Sequence, residues 1–197
     1  MMTEQSERGI LYVIALVIGI AAIELQLGTG YVVDSTDGTP LADVYIVSRW
    51  QAVQNQILRS RHLCFKTDAA MTNGVGAYTL LPTSLNFNPL LSERSQTTVF
   101  YKAGYQGAVI SDQTSRWRVK LTPDSRKDDD RLNHVYGLSV LAHCGYAESQ
   151  GSALPFHKAI LSELGSLIPS PDVQRGIDNT RFWISLVEGR NTTAPQN

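Results

Sequence analysis

Gly30-Tyr-Val-Val-Asp34, Asp37-Gly-Thr-Pro-Leu41 and Val44-Tyr-Ile-Val47 read in order as strand, turn and strand. Tyr31 to Val33 is aromatic and β-branched, a composition that fits a pleated, half-buried surface. Asp34 to Gly38 collects residues that turn a chain through side-chain capping or positive φ. Pro40 has a fixed φ and no backbone donor, so it belongs at a strand margin. Val44 to Val47 then resumes the strand.

Toward the N-terminus, Ile23-Glu-Leu-Gln-Leu27 alternates apolar and polar residues, which extends the first strand back to Ile23. Before it, Ile10 to Ala22 is an unbroken apolar run of 13 residues. A membrane span needs about 20 residues, whereas a signal-peptide core needs about 7–15. Gly19-Ile-Ala21 supplies a small-x-small cleavage site, and no cysteine near the end of the run offers a lipid anchor. Residues 1–22 are therefore expected to be a signal peptide or an uncleaved signal anchor.

Toward the C-terminus, further strands are expected at Leu63–Met71, Ala77–Leu81, Thr97–Lys102, Ala108–Ser111 and Trp117–Leu121. Asn73-Gly-Val-Gly76 is a hairpin-type turn. The total is seven strands at sandwich spacing. The polar stretches Gln51–Arg61 and Thr83–Gln96 are expected to be exposed loops. Beyond residue 123 the period changes. Asp128-Asp-Asp130 puts acid at a helix start, and Leu132, Val135, Tyr136, Ser139 and Val140 share one helical face. Ser152 and Ser170-Pro171 are read as caps of two further helices, and the tail from Gly189 as disordered. The expected organisation is a leader (1–22), a β-sandwich (23–123), a helical extension (124–188) and a tail (189–197).

Three motifs resemble the carboxypeptidase regulatory-like domain, a small transthyretin-like β-sandwich. The first is Gly30 to Val47. The second is Thr67-Asp68 followed by Asn73-Gly-Val-Gly-Ala-Tyr-Thr-Leu80. The third is Tyr101-Lys-Ala-Gly-Tyr105. Together they cover about half the chain. With Cys64 before the Thr-Asp strand and Cys144-Gly145 in a helical tail, the whole is similar to a bacterial subgroup of exported proteins. The resemblance implies a mainly β, seven-stranded, transthyretin-like (prealbumin-like) sandwich with a C-terminal helical extension. It also implies a non-catalytic role.

Composition bounds the function. The 197 residues carry 17 basic and 18 acidic side chains, so charge gives no case for nucleic acid or an anionic membrane surface. Peptidase chemistry would need His-x-x-Glu, but His62, His134, His143 and His157 are followed three residues on by Phe, Gly, Tyr and Ile. Gly137-Leu-Ser139-Val-Leu141 lacks the second glycine of a nucleophile elbow. Transthyretin-like hydroxyisourate hydrolases end in Tyr-Arg-Gly-Ser. Here Arg175-Gly176 follows Gln174 within a helical pattern, so that reading is remote. No cofactor is expected.

Two constellations remain. Cys64 and Cys144 could form a disulfide, stay as buried thiols, or join His62 and His143 around zinc. The adjacency of His143 and Cys144 makes an awkward metal bite, and an oxidising compartment favours the disulfide. Trp50, Tyr105 and Trp117 could form a sugar-stacking platform, though aromatics at strand ends are more often core. The sequence-level expectation is a structural or recognition module of the bacterial envelope, in the periplasm or anchored facing it. It would bind an envelope protein or glycan through the loops Gln51–Arg61 and Thr83–Gln96. Its only membrane contact would be an uncleaved N-terminal segment. A carbohydrate-binding module is the alternative.

Overall fold

The computed structural model describes residues 29–55, 60–80, 91–111, 118–144 and 152–191. The expected leader, with the strand start at Ile23, therefore lies outside the described residues. Eight strand segments are described: β1 (Thr29–Asp34), β2 (Tyr45–Asn55), β3 (Ser60–Met71), β4 (Ala77–Thr79), β5 (Leu91–Tyr101), β6 (Tyr105–Gln106), β7 (Ala108–Ile110) and β8 (Arg118–Pro123). Three helices follow, α1 (Asp128–Ala142), α2 (Leu154–Leu164) and α3 (Pro171–Asn191).

The strands form two four-stranded sheets, ordered β4-β1-β8-β6 and β3-β2-β5-β7. In the first sheet β1 runs parallel to β8 and antiparallel to β4. The second sheet is antiparallel throughout. Its register sets Ile46 opposite Phe100 and Val47 opposite Val99. Neighbouring residues on a strand point to opposite faces. Ile46 and Phe100 pack with Val32, Tyr78, Val119 and Leu121 of the first sheet. Val47, Val99 and Tyr101 pack with Leu132, Val135, Phe156, Ile160 and Leu164 of the helices. The second sheet is thus a middle layer, with the first sheet on one side and the helices on the other. Strands and helices take comparable shares of the described residues, so the helical part is a full layer and the expectation of a mainly β chain understates it.

A buried carboxylate ties the layers. Glu163 on α2 accepts a very short hydrogen bond from the Tyr101 hydroxyl on β5. Its other oxygen accepts from Arg131 Nε on α1 at 2.6 Å. Burial and the Glu163 hydrogen bond push the Tyr101 hydroxyl well above its ordinary pKa, so it remains a donor at any physiological pH. Within the second sheet, on the face turned toward the first, the buried hydroxyls of Ser48 on β2 and Thr98 on β5 pair at 2.6 Å.

The turns are built as their residues dictate. Asp34 Oδ1 accepts from Thr36 N at 2.6 Å, and Gly38 takes φ 77°. Asn73 Oδ1 accepts from the amides of Val75 and Ala77, at 3.1 and 3.0 Å. Gly76, at φ 72°, leaves no room for a side chain: a Cβ would fall 2.6 Å from the Val32 carbonyl oxygen. Ser170 caps α3 by accepting from Val173 N at 3.2 Å.

Four expectations are corrected. Residues 51–55, 60–61 and 91–96 were expected in loops and lie in β2, β3 and β5, leaving 56–59 and 83–90 outside the described residues. The apolar residues there are the adjacent pair Ala52 and Val53, buried at 1% and 8%, and Leu91, so the backbone ladder defines the strands without an apolar alternation to reveal it. The described strands number eight against the seven expected, because the two residues of β6 (Tyr105–Gln106), outside the expected strand Ala108–Ser111, pair with β8 in the first sheet. Alpha-2 begins at Leu154 with Ala153, not Ser152, at the cap position. Gly189–Asn191 continues α3, contrary to the expected disordered tail; residues 192–197 lie outside the described residues.

Two glycines make opposite tests of this architecture. Gly137 sits inside α1 with nothing within 4 Å of a built Cβ. Gly137→Ala should stabilise the protein by about 0.8–1 kcal/mol through helix propensity. At this chain size that raises the melting temperature by roughly 2–4 °C. Gly76→Ala should cost about 1–3 kcal/mol or more from the left-handed backbone and the carbonyl clash. Thermal melts of both variants check the pair.

Candidate functional site at the sheet–helix junction

Arg49, His143, His157, Ser139 and the two cysteines gather where β2 and β3 meet the end of α1. Alternation along β2 puts Arg49 on the same face as Val47, toward the helices, with Ser48 and Trp50 on the other face. Across the sheet, Arg49 lies opposite Thr67 on β3 and Thr97 on β5. Alpha-1 ends at Ala142, and His143 leaves the helix with extended backbone (φ −75°, ψ 136°). Arg49 Nη1 donates to the His143 carbonyl oxygen at 3.2 Å. A cation at a helix C-terminus complements the dipole there.

The next residue anchors the junction covalently. Cys64 and Cys144 form a disulfide with Cα atoms 5.3 Å apart, closing a sequence separation of 80. On chain-entropy grounds a loop of this length is worth up to about 4–5 kcal/mol. The bond joins β3 to the residue after the α1 cap, locking the helical layer to the edge half of the second sheet. It also takes both sulfurs out of the four-residue zinc constellation, because only a thiolate ligates zinc. His62, the fourth member, is exposed on β3.

Around the bond lies a ring cluster. The His143 ring sits against Trp183 of α3 with centroids 3.8 Å apart. His157 of α2 follows at 6.3 Å from His143, and Phe156 at 5.2 Å from His157. The Ser139 hydroxyl lies 3.4 Å from His157 Nδ1. Ser139 and His157 are each 2% exposed, so this pair has no access to a substrate. Burial, helped by nearby His143, pushes the His157 imidazole down to about 4. Burial and the Arg49 charge lower His143 as well.

The aromatic residues singled out from the sequence are not brought together. Trp50 is 5% exposed, with Lys66 Nζ 5.0 Å from its ring centroid, so it presents no open stacking face. Tyr105 lies in the other sheet, half-buried, its hydroxyl donating to Asp34 Oδ2 at 3.0 Å. Trp117 lies outside the described residues. Arg175 and Gly176 sit within α3. Arg49, His157, Trp183 and Glu163 were missed as site residues. One signal for Arg49 was available: it is the only charge in the stretch Val44–Val53, which is otherwise apolar or neutral.

The histidines make the fold acid-sensitive. The unfolded chain takes up a proton near pH 6.5, while folded His157 resists protonation until about pH 4. Stability is therefore fully present above pH 6.5 and falls as pH drops toward 4. The His157 share of that loss is about 3 kcal/mol, and His143 acts in the same direction. Urea denaturation between pH 7.5 and 4 should show this loss. His157→Gln should be less stable at pH 7.5 but should have a flatter pH profile.

No family model, curated protein or solved structure matches this chain.

Proposed function

We propose that the chain is an exported, non-catalytic β-sandwich module of the carboxypeptidase regulatory-like, transthyretin-like type, doing structural or recognition work at a bacterial envelope. The disulfide between Cys64 and Cys144 carries this reading. Such a bond persists in an oxidising compartment and is reduced in a bacterial cytosol. It agrees with a leader at residues 1–22 that directs the chain out of the cytoplasm.

The motif positions support the fold assignment. Gly30 to Asp34 lies on β1, and Val44 to Val47 leads into β2. Thr67-Asp68 lies on β3, and Tyr101 ends β5 before the Gly104 turn at φ 79°. The recognition surface in this reading is no longer a pair of loops. Residues 51–55, 60–61 and 91–96 extend a three-stranded arm of the second sheet, a more rigid platform than connecting segments provide. A glycan-binding version would need a stacking face other than Trp50.

Fractionation of cells expressing the full chain, with thiol labelling of the denatured, unreduced protein, tests the proposal. The expected result is protein in the envelope or periplasmic fraction with neither cysteine labelled. Cytoplasmic protein with two labelled thiols would overturn it.

A further inference from the structure

Three arginines among the described residues have buried or half-buried settings, and they are not treated alike. Arg126 is paired with Asp124 at 2.7 Å. Arg131 is paired with Glu163. Arg49 has no carboxylate partner among the described residues, and its one hydrogen bond there is from Nη1 to the His143 carbonyl. Its Nε is sequestered from solvent with no hydrogen-bond partner. A buried donor left without a partner carries its full desolvation penalty, and more so on a charged group. Withdrawing an unpaired cation from water adds a further desolvation cost. The C-terminal end of α1 offsets part of this through one carbonyl, which engages one of five donors.

The unused donors have a shape. Nε and Nη2 lie along one edge of the planar guanidinium, and their N–H bonds run parallel. That edge matches two oxygens of a carboxylate or phosphate and forms the bidentate pair at which arginine excels. Nη1, on the other side, is the group already committed to His143. The hydrogen bond thus fixes the orientation of the guanidinium while leaving the fork uncommitted. Strand register places Thr67 and Thr97 on either side of Arg49, on the same face, supplying hydroxyl-bearing neighbours to an oxyanion.

We propose that the Nε–Nη2 edge of Arg49 binds an oxyanion, a carboxylate or phosphate group, between the helix-facing surface of the second sheet and the end of α1. The inference rests on the reading of the chain as a recognition module and gives that module a ligand chemistry. Binding would couple to the helical layer, because the same guanidinium holds the α1 terminus through His143.

The test is an NMR and calorimetric titration of the oxidised, full-length protein with inorganic phosphate and, separately, with acetate, against sodium chloride at equal ionic strength. Saturable binding of phosphate, acetate or both below about 10 mM is expected, with the Arg49 Nε–H resonance shifting along the same curve. The His143 ring should titrate at higher pH in the bound state, since the anion offsets the Arg49 charge that disfavours its protonation. The anion that binds more tightly identifies the natural group. Arg49→Lys keeps the charge and loses the fork, so affinity should fall roughly tenfold or more; Arg49→Gln should abolish binding. No saturable binding of either anion overturns the proposal. So does binding that leaves the Arg49 Nε–H resonance unmoved, or equal affinity in Arg49→Gln. The wild-type resonance decides the matter even if a variant fails to fold. None of these outcomes depends on localisation or thiol state, so the site can fail while the envelope reading stands.

Discussion

Where Ile46, Val47 and Ser48 of β2 pair with Phe100, Val99 and Thr98 of β5, the second sheet has no solvent face, and the rest of the molecule answers to that constraint. Consecutive residues of β2 and β5 are buried whichever way they point: Ile46 and Phe100 toward the first sheet, Val47 and Val99 toward the helices, all at 0% exposure. Burying a side chain of this size contributes about 1.5–3 kcal/mol relative to leaving it in water. A two-sheet sandwich alone would leave the Val47, Val99 and Tyr101 face wet. The helices are therefore a required cover. Glu163 adds direction to that cover. Apolar contact alone would let α2 slide on the sheet, whereas a buried carboxylate held by Tyr101 and Arg131 admits one placement.

The same requirement explains why chemistry collects at the junction. Where α1 ends, carbonyls of its last turn need partners. Arg49 meets the His143 carbonyl there, and the disulfide closes immediately beyond it. The covalent bond does for this edge what Glu163 does for the centre of the layer. With the helices fixed at two places, charged and aromatic groups between them are held in set positions. A preorganised arginine edge is a better recognition element than one on a loose surface, because less ordering entropy is lost on binding.

Much of this was legible in the residues. The Asp34–Gly38 and Asn73–Gly76 turns follow from Asn, Asp and Gly side-chain and backbone chemistry, and the structure builds them with the expected carboxylate and amide caps. Ser170-Pro171 marks a helix start for the same local reason. What was not legible depends on contacts distant in sequence. Gln51–Asn55 offers only the adjacent apolar pair Ala52 and Val53, and 91–96 only Leu91, so strand pairing there leaves no period-two signature. The middle-layer role of the second sheet was hinted by Val44-Tyr-Ile-Val47, apolar at successive positions as both-face burial requires. Whether sheet or helix covers each face is a tertiary fact. The Glu163 tie joins residues 62 positions apart in sequence, and no local pattern announces it.

Native-state hydrogen exchange most directly tests the claim that the sandwich and the helices are one cooperative unit. Core amides of α2, such as those of Ile160 and Leu164, should exchange with the same opening free energy as those of Val47 and Val99 in β2 and β5. That equality should persist after the disulfide is reduced, though at a lower value. Helical amides that open at clearly lower free energy than the sheet, with the disulfide intact, would show that the cover is a detachable appendage and would contradict the account.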